Sequence, residues 1–248
     1  MKQKEIIYAD DSPQMLEVYK KAQETFKYFW RESWWDNRRI IPALEVAYVK
    51  AAFTQDKSPK PPIVEFMWIG DIEFDGITIQ GTLINKPHKI RNIKRGATVK
   101  IPLDEVKDWL FSIAGKTYGG YTIQVMRSLM NDKERSAHDR AWGLDFGDFD
   151  NILVAYDQEK HPEYLIEHPM NTNMQDSLKT YLTANPDEIT KKDEFGYTML
   201  HREVIAGNKV CVAVLLEMGA DMDAKTNSGY TAGDFAKILN WEHLIPLL

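Results

Sequence analysis

Cysteine is nearly absent from this 248-residue chain. The one thiol, Cys211, cannot close an internal disulfide, so packing rather than cross-linking must hold the fold, and a reducing compartment suits it. Long apolar runs are missing too: no stretch approaches the roughly 18 uncharged residues of a membrane helix. Residues 1–10 carry two lysines with no apolar run behind them, so no secretion signal is expected. Basic excess is also lacking. The 37 acidic residues against 31 Lys and Arg leave a net charge of −6, which gives no general pull toward nucleic acid or an anionic membrane. There is no Gly-x-Ser-x-Gly elbow, phosphate loop or dinucleotide fingerprint, so hydrolase and nucleotide-enzyme readings have no support and no catalytic residue is assigned. What is present is an ordinary globular composition, 44% hydrophobic with 11% aromatics, enough to fill a sizeable core in a cytoplasmic protein.

Along the chain, Asp10, Asp11 and Ser12 supply cap residues ahead of Pro13, whose missing N–H costs nothing at a first helical position. Met15, Tyr19, Ala22, Phe26, Phe29 and Trp30 recur at three- or four-residue intervals, predicting an amphipathic helix that ends near Arg31. Trp30, Trp34 and Trp35 read as core anchors in preference to a ligand platform. From Leu44 the period changes to two, giving a strand over 44–53, and the prolines at 59, 61 and 62 break it. Segments 63–74 and 77–84 flank Asp75-Gly76, a two-residue hairpin turn. A short strand follows at 97–101, then a further hairpin from 107–113 through Ala114-Gly115-Lys116. Ile123, Met126, Leu129 and Met130 predict a helix from Thr122 into the charged stretch 131–140, followed by an ordered aromatic bridge at 141–150. The fold class is α+β: an antiparallel sheet of four to six strands, or a partly open barrel, packed on an N-terminal helix.

Gly196-Tyr197-Thr198 returns as Gly229-Tyr230-Thr231 after 33 residues, and Ile205 maps onto Ile238. Leu215 maps back onto Leu182, so 177–183 reads as the second helix of a degenerate first unit. This period resembles the ankyrin repeat, a turn and two antiparallel helices. The resemblance implies an all-α array of about three repeats over 171–248, the first degenerate, with Met199, Glu203, Gly233 and Asp234 departing from the repeat's pattern. It also implies that Thr198 and His201 hydrogen-bond to stiffen the turn, a structural role. The apolar end from Trp241 to Leu248 is expected to fold back as a cap or to lie against another chain.

Several blocks of the first half occur in the order of a known family: Asp10-Asp11-Ser12-Pro13-Gln14-Met15, Val49-Lys50-Ala51-Ala52-Phe53, Glu65-Phe66-Met67-Trp68 and Gly81-Thr82-Leu83-Ile84-Asn85-Lys86-Pro87. Lys94-Arg95-Gly96-Ala97-Thr98-Val99, Pro102-Leu103-Asp104-Glu105-Val106-Lys107-Asp108-Trp109 and Gly119-Gly120-Tyr121-Thr122 continue the series. On these the chain resembles the YegJ-like bacterial domain family of unknown function, which implies an α+β domain over 1–130. Residues 142–147 and 168–170 resemble the connector of the subset that carries ankyrin repeats, which places a connector over 131–170. The family supplies neither catalytic residues nor a substrate.

Asp145, Asp148 and Asp150 could hold a hard cation, but turn and cap duties are the simpler reading. His161 and His168 lack the fuller ligand set of a zinc site. No metal or cofactor is assigned. Lys86, His88, Lys89, Arg91, Lys94, Arg95 and Lys100 lie in a span with no acidic residue between Asp75 and Asp104. They read as a charged strand edge or as a ridge for phosphate-rich or acidic partners. The expected function is a non-enzymatic bacterial interaction protein, of which an immunity or regulatory protein is one form. It would bind a protein partner through turn tips at Glu194, Phe195, Asn227 and Ser228, or across the groove between the domains. The alternative is nucleic-acid or phosphate-ligand binding through Lys89, Arg91, Lys94 and Arg95. The short array is equally suited to bracing the β domain.

Overall fold

The computed structural model describes residues 12–55 and 62–248. Asp10, Asp11 and the proline loop up to residue 61 lie outside the described residues. Ser12 caps the first helix, its Oγ accepting the Met15 N–H at 3.2 Å, and Pro13 takes the first helical position. Helix α1 spans Pro13–Asp36. It runs past the expected end at Arg31, because Trp34 and Trp35 extend the same apolar stripe and Asn37 provides the cap.

Six strands follow: β1 Leu44–Thr54, β2 Val64–Phe74, β3 Thr78–Leu83, β4 Thr98–Pro102, β5 Val106–Ile113 and β6 Lys116–Gly119. They form one antiparallel sheet in the order β4-β3-β2-β1-β5-β6. The sheet is open, so the barrel alternative falls away. The outer edge of β6 is taken by the chain that follows, Thr117 and Gly119 donating to the carbonyls of Asp145 and Leu153, each at 2.8 Å. Lys100 and Pro102 stand on the other edge strand, β4, and discourage further pairing. The β2–β3 hairpin forms where expected, with its apex one residue later, at Gly76-Ile77. Asp75 stands on the strand side of the turn, its N–H donating to the Thr78 carbonyl and its carboxylate accepting the N–H groups of Ile77 and Thr78.

The single helix expected from Thr122 is two: α2 Tyr121–Ser128 and α3 Asp132–Trp142. Asn131 breaks it, because its side chain accepts from Lys133 and Glu134 while Glu134 reaches back to its N–H, a reciprocal cap that starts a new helix. The helical half comprises α4 Pro169–Thr172, α5 Gln175–Ala184, α6 Met199–Ile205, α7 Lys209–Glu217 and α8 Ala232–Ile238. No helix among the described residues is long and apolar enough to cross a membrane.

The 33-residue spacing recurs in the backbone. Asp193 N–H donates to the Tyr197 carbonyl at 2.9 Å, and Thr226 N–H to that of Tyr230 at 3.0 Å. Thr198 with His201, and Thr231 with Asp234, form the corresponding capping boxes. In the first, His201 Nδ1 accepts the Thr198 N–H at 3.1 Å, which leaves the proton on Nε2 to donate to the Tyr230 carbonyl at 3.2 Å. The neutral ring therefore ties one unit to the next.

Helix α1 is buried on two sides. Toward the sheet, Phe29 packs on Trp109 and Phe111, Phe26 meets the edge of Phe74, and Trp109 Nε1 donates to the Ala22 carbonyl at 2.9 Å. Toward the helices, Tyr28 meets Trp241 edge to face at 5.7 Å, and Trp35 Nε1 donates to Asn208 Oδ1 at 2.9 Å. Arg31, 2% exposed, donates to the carbonyls of Tyr164, Leu165 and Ile166. Trp241 and Leu244, from the apolar C-terminal stretch, are buried in this core. The hairpin apex completes the contact: Gly76, at φ +104°, lies so close to Phe235 that a Cβ there would sit 2.5 Å from its ring.

One apolar core thus runs through both halves. A fragment of residues 171–248 is expected to lack a cooperative unfolding transition by circular dichroism, whereas the full chain unfolds in one step. Gly76→Ala should destabilise the full chain by about 1–3 kcal/mol through overpacking and the positive φ, read from denaturant midpoints. Burial holds His201 and His243 below the ordinary histidine value. A depressed histidine contributes stability that is full above the unfolded value, about 6.5, and is lost as pH falls below it, because the unfolded chain then binds the proton more readily. The loss of stability between about pH 7.5 and 5.5 should therefore be smaller in His243→Gln than in the wild type.

Candidate functional site

Where the β2–β3 hairpin meets the helical half, the surface folds inward. A cavity of about 300 Å³ is lined by Glu73, Asp75 and Lys100 from the sheet and by Phe195, Arg202 and Ser228 from the helical half. A second hollow of about 280 Å³ is lined by Trp34 of α1, by Arg38 in the turn just after it, and by Lys192 and Asp193. Tyr197 and Arg202 line both, so the two hollows adjoin on either side of this pair and together make a two-lobed groove in the surface.

The 33-residue turn geometry places these side chains. Asp193 Oδ1 accepts the N–H groups of Phe195 and Tyr197 at 3.0 and 2.9 Å, closing the turn and turning the Phe195 ring outward, 60% exposed. Its other oxygen takes Arg202 Nη2 at 2.5 Å, and the guanidinium lies 4.0 Å from the Tyr197 ring centre. Partial burial pushes Asp193 upward, but Arg202 and the two amides outweigh it and hold the carboxyl below its usual range. Burial, reinforced by Asp75, raises the Tyr197 hydroxyl to about 12, so it stays a neutral donor and acceptor. On the α1 side, Arg38 stacks over Trp34 at 4.1 Å and pairs with buried Glu203 at 2.6 Å. The groove therefore offers aromatic faces, one exposed apolar ring and charges of both signs, a chemistry of recognition for a polypeptide segment.

Of the four turn-tip residues expected from sequence, Phe195 and Ser228 line the groove. Glu194 is exposed, and Asn227 stitches the tips together, its Nδ2 donating to the Glu194 carbonyl and its N–H to that of Phe195, both at 2.9 Å. Lys89, Arg91, Lys94 and Arg95 lie on the β3–β4 loop and do not line the groove, whereas Lys100 does. That loop is anchored by Glu65, whose carboxylate accepts the N–H groups of His88, Lys89 and Ile90 at 2.8, 2.9 and 3.3 Å. Burial raises Glu65 slightly, but these amides hold it below its usual range. Among the described residues, none of the four basic side chains makes an ion pair.

Asp145 and Asp148 accept the N–H groups of Gly147 and Asp150 at 2.8 and 2.9 Å, which are turn duties. No group of three or more His, Cys, Asp or Glu is placed to hold a metal among the described residues. His161 sits beside Glu163, while His168 is buried, stacked on Trp35 and directed at Glu32. Cys211 is buried and its thiol is pushed up by burial. Sequence reasoning missed Arg202, Tyr197, Glu73 and Asp75 as groove residues. Arg202 alone carried a local signal, a cation in the first turn of a short helix whose other positions are mostly apolar, and in the structure it is half-buried.

Residues 12–146 match the model of a family described as "Uncharacterized protein conserved in bacteria (DUF2314)". A Neisseria meningitidis serogroup B protein bearing the name "Putative ankyrin repeat protein" is 48% identical over 228 residues, covering 92% of this chain and 90% of that protein. The uncharacterized protein YegJ of Escherichia coli K12 is 32% identical over 62 residues, 25% of this chain and 40% of YegJ. No solved structure matches. With a family match across more than half of its length and a relative similar almost end to end, the chain belongs to the DUF2314 family of bacterial proteins.

Proposed function

We propose that this protein is a non-enzymatic bacterial cytoplasmic interaction protein, in which an α+β domain over 1–130 is joined by residues 131–170 to an ankyrin array over 171–248. Two features support the ankyrin reading. The turn hydrogen bonds and capping boxes repeat at the 33-residue spacing, and a relative similar over most of its length carries that name. The protein binds a partner by clasping an extended segment in the two-lobed groove. The observation that carries this reading is the junction itself, where exposed Phe195 and the stacked Arg202–Tyr197 pair of one half face Glu73, Asp75 and Lys100 of the other. An apolar anchor ringed by polar groups is the usual anatomy of a binding hot spot. The brace and the binding surface are then one device, because the docking that buries α1 also creates the groove.

Affinity capture from the native host, comparing the wild type with Phe195→Ala and Ser228→Arg, tests this. Both variants are expected to keep the wild-type melting temperature and to lose the same co-purifying protein by about tenfold or more, as for a central anchor. Equal recovery with all three proteins would count against the groove.

The β3–β4 loop favours a second reading, binding of phosphate-rich ligands by Lys89, Arg91, Lys94 and Arg95, because these side chains are exposed and make no ion pairs among the described residues. Heparin retention that falls steeply with salt, and that weakens in Lys94→Glu/Arg95→Glu, is its expected signature. Flow-through at low salt would discard it.

A further inference from the structure

The turn between α1 and β1 presents Ile40 and Ile41 to solvent, 100% and 81% exposed. It is held rigidly. Asp36 Oδ1 accepts the N–H groups of Ala43 and Leu44 at 2.6 and 3.3 Å and also pairs with Arg39 at 3.4 Å. Arg39 reaches on to Glu32 at 3.3 Å, and Arg38 is drawn to Glu203. Both arginines before the isoleucines are thus turned back into the protein. An apolar pair on a pre-ordered turn loses little entropy on docking.

Asp36 and Leu44, which flank this turn, also line a cavity of about 390 Å³ with Glu45, Tyr48, Asp71 and Ser33. No Lys or Arg lines it. Among the described residues, Asp36 Oδ2, Glu45 Oε1 and both Asp71 oxygens carry no hydrogen bond or ion pair. The other Glu45 oxygen is fixed by Ser112 Oγ at 3.0 Å and the Gly115 N–H at 2.8 Å. Ser33 is 7% exposed, and its hydroxyl is buried without a partner. Unpaired carboxylate oxygens, an aromatic ring and an unsatisfied hydroxyl around one hollow select for a cation. The carboxylates do not converge as metal ligands do. An organic cation on an apolar stem, able to lie along Tyr48 and Ile72, is the chemistry that fits.

We propose that this corner docks a basic segment of a partner protein: a Lys or Arg side chain enters the acidic cavity while the apolar residues beside it cover Ile40 and Ile41. Charge complementarity selects this occupant and repels phosphate-rich ones. The surface shares no lining residue with the groove between the two halves, so each can fail without the other.

The test is titration of the full chain with acetyl-Leu-Arg-Leu-amide and, as control, acetyl-Leu-Glu-Leu-amide, followed by NMR. The arginine peptide is expected to shift the Ile40 and Ile41 methyls and the Ala47 and Tyr48 amides saturably, and the glutamate peptide to leave them in place. Asp71, at φ 51°, occupies a left-handed conformation that asparagine adopts readily. Asp71→Asn should therefore fold normally yet bind about fivefold more weakly, and Ile40→Ser/Ile41→Ser should weaken binding likewise. The proposal is overturned by no saturable shift up to about 10 mM peptide, by equal responses to the two peptides, or by unchanged binding in Asp71→Asn.

Discussion

Everything in this molecule depends on a helix that is buried from two directions. Along α1, Phe26 and Phe29 face the sheet while Tyr28, Arg31 and Trp35 face the helical half. A surface helix ordinarily keeps one wet face, and α1 gives much of that face to the second half of the chain. Arg31 shows what this requires. A guanidinium with 2% exposure is tolerable only because backbone carbonyls of residues 164–166 receive its protons and the rings of Tyr28 and Trp241 lie against it.

The groove is the geometric consequence of that packing. With α1 fixed between the halves, the hairpin apex is pressed against Phe235 and the 193–202 turn is brought over Glu73 and Asp75. Polar side chains from residues distant in sequence then share one hollow, and the stacked Arg202–Tyr197 pair forms its dividing wall. A short helical stack on its own leaves an end uncovered; here hairpin, helix and C-terminal Trp241 cover apolar surface that the helices cannot cover for one another.

Much of this is legible in the sequence. The α1 stripe, the alternation of β1 to β5, the Asp75-Gly76 turn region and the 33-residue repeat each rest on chemistry within a few residues or on a fixed period, and each lies close to its expected place. The misreadings were also local. Asn131 reads as a helix interior in sequence because its capping partner, Glu134, is also a good helix former, and the α1 stripe is hard to follow beyond Arg31 through the adjacent Trp34 and Trp35. Phe195 and Ser228 were visible as turn tips. Glu73, Tyr197 and Arg202 were not, because nothing beside them in sequence marks them as neighbours of one another.

By itself, then, the sequence determined the α+β character of the first half, the helical repeat of the second and the polar turns between them, since propensity, capping and hydrophobic period act over single turns of chain. Only the tertiary structure decided that the sheet stays open, because β6 pairs with the chain at Asp145 and Leu153. It alone decided that α1 serves both halves and that the exposed charges of the hairpin and the repeat turn meet in one groove. Those outcomes depend on contacts between residues far apart in the chain, where side-chain fit and the covering of apolar surface, rather than any local pattern, select the partner.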